Sequence, residues 1–176
     1  MPAKSVNFST DPIPSDRQLT QLAEKLARQL AEKSLAIVTA ESCTGGWIAQ
    51  TLTAVAGSSV WFDRGFVTYS NQAKQDMLGV ADETLQQHGA VSKQVVQEMA
   101  QGALNNSPAQ LAVSVSGIAG PGGGSTDKPV GTVWFGWCRQ GSDAYCEHKQ
   151  FNGDREAIRR QAVAHALQGL LDLASA

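Results

Sequence analysis

Two short, mostly apolar runs, Leu35–Ala40 and Leu111–Ser116, each end at a turn rich in glycine. Runs of this kind suit strands buried on both faces, and such strands sit in sheets covered by helices on both sides. Segments with helical spacing surround them. Arg17–Lys33 carries Leu19, Leu22, Ala23, Leu26, Ala27 and Leu30 on one face. Trp47–Val55 predicts a helix directly after the first turn. Ser70 or Asn71 can cap a short helix ending at Leu78, Asp82 a second reaching Gln87, and Ser92 a longer one through Ala103. Val60–Tyr69 predicts another strand, with Gly65 inside it. Val130–Cys138 and Ala144–Phe151 alternate well enough to form an antiparallel hairpin across Arg139–Asp143. Asp154 caps a final amphipathic helix reaching Leu173. The expected fold class is α/β: a three-layer α/β/α sandwich with a mixed, mostly parallel sheet and a late antiparallel hairpin.

The chain has 176 residues, 42% of them hydrophobic, enough for one domain with a sizeable core. That domain is expected over residues 17–176. Met1–Asp16 is polar, holds three of the six prolines, and reads as a mobile N-terminal tail. The net charge of −2 and the lack of any Lys/Arg run argue against a nucleic-acid partner. No apolar run is long enough for a membrane span or a signal-peptide core. Cys43, Cys138 and Cys146 are odd in number and match no zinc spacing, so free thiols in a reducing cytoplasm are expected.

Three segments carry candidate chemistry. The first is Glu41-Ser-Cys-Thr-Gly-Gly46, at the turn from a buried strand into a helix. In open α/β sheets this is the edge where ligands bind. The helix start offers free N–H groups and partial positive charge, suited to a phosphate or a developing oxyanion. Gly45 and Gly46 allow close approach to their backbone. Ser42 and Thr44 bring hydroxyls to the same place. Taken alone, Ser42 or Thr44 serves equally well as a helix cap.

The second segment is Val67-Thr-Tyr-Ser-Asn-Gln-Ala-Lys74. A serine needs a base before it can attack. Lysine can be that base only when burial or a nearby cation keeps it neutral. Tyr69 can relay the proton or orient the amine. A solvated helix lysine fits the same spacing. The third is Ser116-Gly-Ile-Ala-Gly-Pro-Gly-Gly-Gly-Ser125, where successive glycines let N–H groups converge on an anion and Lys128 can add charge. It lacks both the Walker ending and the dinucleotide spacing.

The three histidines, His88, His148 and His165, have no acidic partner at a telling spacing, and no GxSxG elbow occurs. Cys43 adjoins Ser42 and is a rival nucleophile. Serine is favoured, because neighbours in a turn point apart and a small buried thiol is cysteine's commoner role.

Together the segments TAESCTGG (39–46), GFVTYSNQAKQDMLGV (65–80), GAVS (89–92), SGIAGPGGGS (116–125) and KPVGTV (128–133) resemble the CinA C-terminal-domain family. The similarity spans about Leu19 to Leu173, in the form of the family's stand-alone members. Its active members are nicotinamide-nucleotide amidases, and it includes non-catalytic paralogues. The resemblance implies hydrolysis of nicotinamide mononucleotide to nicotinate mononucleotide and ammonia, within pyridine-nucleotide salvage. Ser42 is then the expected nucleophile, with Lys74 as base and Tyr69 as its partner. Thr44, Gly45 and Gly46, and the loop residues Ser116, Gly117, Gly120 and Gly122, are the expected substrate contacts. Which turn holds phosphate and which the oxyanion stays open. No metal or redox cofactor is expected, and neither is a nucleic-acid or membrane partner. Self-association as a dimer or higher is implied.

Overall fold

A computed structural model describes residues 12–176. Its strands are β1 (Ile37–Glu41), β2 (Phe62–Val67), β3 (Leu111–Gly117), β4 (Thr132–Arg139) and β5 (Tyr145–Gln150). Its helices are α1 (Asp16–Lys33), α2 (Trp47–Thr53), α3 (Asn71–Leu78), α4 (Asp82–His88), α5 (Lys93–Asn105) and α6 (Arg155–Ser175). The strands form one sheet in the order β2-β1-β3-β4-β5. β1 runs parallel to both β2 and β3, while β3–β4 and β4–β5 are antiparallel. Only β4 therefore points against the rest, which is the expected mixed sheet with its late hairpin.

Alternation along the strands builds two cores. Ile37, Leu111, Val113, Val115, Val133, Phe135 and Trp137 face α1, α2 and α6. Val38, Ala40, Ala112 and Cys138 face Leu78, Leu85, Val95 and Met99 from α3, α4 and α5. The three layers follow from that division. Trp137 fixes α6 to the sheet with an indole N–H donated to the Ala166 carbonyl at 3.1 Å.

Ser70, Ser92 and Asp154 cap α3, α5 and α6 through side-chain acceptance of a backbone N–H. Asp82 does not cap α4. The cap position is Ala81, and the Asp82 carboxylate instead accepts from the Gln75 and Gln86 side chains. Val60 belongs to a short 3-10 turn rather than to β2. Of the tail expected over 1–16, residues 1–11 lie outside the described residues. Asp16 opens α1 behind a capping box of Ser15 with Gln18, and its carboxylate pairs with Arg160. Among the described residues no helix is long and apolar enough to cross a membrane.

The topology assembles one edge. β1, β2 and β3 run in the same direction, so the turns after Glu41, Val67 and Gly117 leave the sheet together. The first turn of α6 reaches the same place, where Arg155 donates to the Gly120 carbonyl.

Candidate active site

Lys74 is among the largest side chains that the fold buries completely in the described residues, at 1% exposure. It reaches inward from the first turns of α3, which the Ser70 hydroxyl anchors by accepting from the Ala73 N–H at 3.0 Å. Its Nζ lies 3.0 Å from Ser42 Oγ and donates to the Thr68 carbonyl at 2.8 Å. Burial holds the amine below the ordinary lysine range, with the neighbouring Cys43 pulling the other way. An amine so placed can shed its proton and turn its lone pair to the serine hydroxyl. The first two segments therefore meet, with a buried amine against a serine hydroxyl.

The turn that carries Ser42 is tied at almost every polar atom. The Ser42 N–H donates to the Val115 carbonyl, and the Gly45 N–H to the Ser42 carbonyl, each at 3.0 Å. Gly45 and Gly46 take φ of 59° and 95°, the left-handed region that glycine enters without strain. The start of α2 is not open to a ligand. Glu41, 1% exposed, fills it with its own carboxylate, accepting from the N–H groups of Gly46, Ile48 and Ala49 at 2.9–3.1 Å. Burial pushes the Glu41 carboxyl up from its usual range, and the amide hydrogen bonds work against that shift.

Two expectations change as a result. The Gly45 and Gly46 N–H groups are already engaged and cannot receive an oxyanion. Among the described residues, the N–H groups of Cys43 and Thr44 donate to no other residue, and the Cys43 N–H lies beside its own sulfur. A phosphate is also kept from the start of α2, because a carboxylate occupies it. The Thr44 side chain is fully buried, and its hydroxyl lies against the Glu41 carboxylate, working against the upward shift without reaching full hydrogen-bond geometry.

Cys43 lies inside the core cluster, and burial pushes its thiol up to about 12, with the Glu41 carboxylate adding to the shift. It stays a thiol at neutral pH and is a poor nucleophile there.

Tyr69 departs from its expected place. It is 60% exposed, and its hydroxyl accepts from Arg155 Nη2 at 2.8 Å, with no hydrogen bond to Lys74 or Ser42. Arg155 Nη1 donates to the Gly120 carbonyl at 2.8 Å, so this guanidinium joins the β2–α3 turn to the glycine loop. Ser116 is also turned to another use. Buried, its hydroxyl donates to the Ala90 carbonyl at 2.8 Å and ties β3 to the segment before α5. Gly117 closes β3 opposite Val133, Gly120 is buried beneath Arg155, and Gly122 stands in the open. Lys128 leans over the loop's far side, donating to the His88 carbonyl at 2.7 Å.

Sequence reading assigned no role to Glu41, Arg155 or Arg159. Arg159 donates from Nε to the Cys43 carbonyl at 3.0 Å and from Nη2 to the Thr44 carbonyl at 3.1 Å. A signal for the pair existed, since residues four apart on a helix share a face. The side chains of Arg155, Arg159 and Trp47 also border a cavity of about 660 Å³ where α1, α2 and α6 meet. Ser42 does not line that cavity, so the buried Ser42–Lys74 pair marks the candidate site.

The chain is 56% identical over 156 residues to the nicotinamide-nucleotide amidohydrolase PncC of Escherichia coli strain K12, covering 89% of this chain and 94% of that protein. The protein of the same name from Pseudomonas putida is 54% identical over 155 residues, covering 88% of this chain and 96% of its own length. Among solved structures, the competence/damage inducible protein CihA of Agrobacterium tumefaciens superposes with a TM-score of 0.87 at 46% identity, covering 93% of this chain and 99% of its own. The CinA C-terminal domain profile matches residues 19–174, so a buried Lys74 facing Ser42 stands within a shared family scaffold, and the chain belongs to the CinA C-terminal domain family.

Proposed function

We propose that this protein hydrolyses the carboxamide of nicotinamide mononucleotide, giving nicotinate mononucleotide and ammonia, with Ser42 as nucleophile and Lys74 as base. The observation that carries the reading is the 3.0 Å approach of the Lys74 amine to Ser42 Oγ, with both side chains buried. The printed activity of the relatives at 54–56% identity supplies the substrate class.

In this reading neutral Lys74 takes the Ser42 proton as Oγ attacks the amide carbon. The carbonyl oxygen becomes an oxyanion directed at the N–H groups of Cys43 and Thr44. As the C–N bond breaks, the Lys74 ammonium returns its proton to the leaving amine, which departs as ammonia. An ester on Ser42 remains. Water, deprotonated by Lys74, attacks that ester, and the acid product leaves with Ser42 restored. The 5′-phosphate goes to the loop 117–124, beside Arg155, because Glu41 repels an anion from the start of α2. Tyr69 serves at the rim with Arg155.

A role in cytoplasmic pyridine-nucleotide salvage agrees with three free cysteines. Self-association is part of the same proposal, supported by exposed Val67 on β2, Met77 on α3, and Val60 and Tyr69 in the turns on either side of β2. Light scattering on the purified protein checks the oligomer.

The test is ammonia release from nicotinamide mononucleotide. Wild type is expected to release one ammonia per product acid, and Ser42→Ala none. Binding without turnover in the wild type would identify a silent nucleotide-binding paralogue instead. Full activity in Ser42→Ala would exclude the serine mechanism.

A further inference from the structure

We infer that Arg159 is a positioning residue that organises the oxyanion site from behind, by holding the Cys43–Thr44 peptide through its carbonyl. The inference deepens the amidase reading and rests on it.

Two N–H groups next to Ser42 donate to no other described residue, those of Cys43 and Thr44. In a trans peptide the carbonyl and the N–H point in opposite directions. Each free N–H is therefore aimed by whatever holds the carbonyl of its own peptide. The Cys43 N–H belongs to the Ser42–Cys43 peptide, whose carbonyl accepts from the Gly45 N–H at 3.0 Å. The turn aims that donor by itself. The Thr44 N–H belongs to the Cys43–Thr44 peptide, whose carbonyl accepts from Arg159 Nε at 3.0 Å. The second donor therefore depends on a side chain 116 positions away in sequence.

Charge matters as well as direction. A guanidinium on a carbonyl draws electrons through the peptide and makes the opposite N–H a stronger donor. Charge-assisted hydrogen bonds are about twice as strong as neutral ones. Arg159 is equipped for the task. Its Nη2 holds the next carbonyl, Thr44, at 3.1 Å, so both bonds resist rotation of the turn. Its guanidinium stacks on Trp47 at 5.3 Å, which sets its height. The salt bridges among the described residues do not include Arg159, so no carboxylate neutralises its charge. Arg160 shares the Trp47 ring but spends its charge on Asp16 and Glu156.

Deleting an oxyanion donor outright costs about 10²–10³-fold in kcat. In Arg159→Met the Thr44 N–H survives but loses its aim and polarisation. A fall in kcat of about 10–100-fold is expected, with KM within about twofold, because the contact strengthens only in the transition state. Arg159→Lys restores a positive donor to one carbonyl and is expected to recover part of kcat. A second readout needs no nucleotide: phosphonylation of Ser42 by a fluorophosphonate. There Ser42 Oγ bonds to phosphorus, fluoride leaves, Lys74 takes the proton, and the phosphoryl oxygen occupies the oxyanion site. The labelling rate is expected to fall in the same order, wild type above lysine above methionine.

Wild-type kcat and labelling rate in Arg159→Met would overturn the inference. So would a raised KM at unchanged kcat, which would make Arg159 a substrate ligand. If Arg159→Met fails to fold, Arg159→Lys carries the test, and wild-type rates in it would also count against the inference. A wild type that labels on Ser42 but releases no ammonia removes the substrate assignment and leaves the labelling comparison to decide on Arg159. A wild type that does neither overturns both.

Discussion

Gly102 on α5 faces the backbone of α3 with no space for a methyl group. A Cβ at that position falls 1.9 Å from the Leu78 carbonyl oxygen and 2.8 Å from its carbon. Both are main-chain atoms, so no side-chain rotation relieves the clash. Carbon–oxygen contacts settle near about 3.3 Å, so in Gly102→Ala α3 must withdraw by roughly 1.4 Å. Lys74 sits one helical turn before Leu78 and moves with it, while Ser42 stays with β1. The 3.0 Å approach of Nζ to Oγ then opens. Proton transfer needs about 2.6–3.2 Å, and a misplacement of about 1 Å can cost 10²-fold in rate. We expect kcat to fall by about 10–100-fold, with KM within about twofold. Overpacking costs about 1–3 kcal/mol, and the better helix propensity of alanine returns at most about 1 kcal/mol. The net loss lowers Tm by roughly 2–8 °C in a domain of this size. Ammonia release gives kcat, and a circular dichroism melt gives Tm. Wild-type kcat in Gly102→Ala would refute the reasoning that the seat of α3 on α5 sets the Lys74–Ser42 distance.

Other expectations follow from the same geometry. In the wild type kcat rises with pH to a plateau, because only neutral Lys74 accepts the serine proton, and the midpoint lies below 10.5. A midpoint at or above that value in the pH–rate profile would contradict a buried base. Lys74→Met lowers kcat by about 10²–10⁴-fold, yet raises Tm relative to wild type. The unfolded chain holds the lysine proton to higher pH than the folded chain does, so wild-type stability rises with pH across that interval. The Tm difference between the variant and wild type is therefore greatest at low pH and shrinks as pH approaches 10.5, which melts across a pH series check. Cys43→Ser keeps kcat within about fivefold, and a thiol alkylator at neutral pH leaves the wild type active, since the thiol is pushed up to about 12. Loss of activity in step with Cys43 alkylation would reinstate the thiol as nucleophile.

The pattern of the chain was enough for the layers, whereas the meeting of Ser42 with Lys74 was implied only by the family resemblance. Buried runs at Leu35–Ala40 and Leu111–Ser116 became β1 and β3, and the caps at Ser70, Ser92 and Asp154 held, because each depends on neighbours in sequence. What stayed hidden depends on side-chain direction. Glu41 follows a strand and precedes a turn, and nothing local shows that its carboxylate doubles back onto α2. Tyr69 is five positions before Lys74, but it lies exposed in the turn between β2 and α3 and meets Arg155, 86 positions away. Ser116, at the end of a buried run and expected to touch substrate, ties β3 to the Ala90 carbonyl. Asp82 had the residue type of a cap, but two glutamine side chains engage its carboxylate instead.

The central claim is that Ser42 attacks the amide and carries the acyl group. Rapid quench of wild type with nicotinamide mononucleotide, followed by peptide mass spectrometry, tests it most directly. The account predicts a transient adduct on the peptide containing Ser42, with the mass of the substrate less ammonia, absent in Ser42→Ala. Turnover with no adduct at any quench time, or an adduct on Cys43, would contradict it.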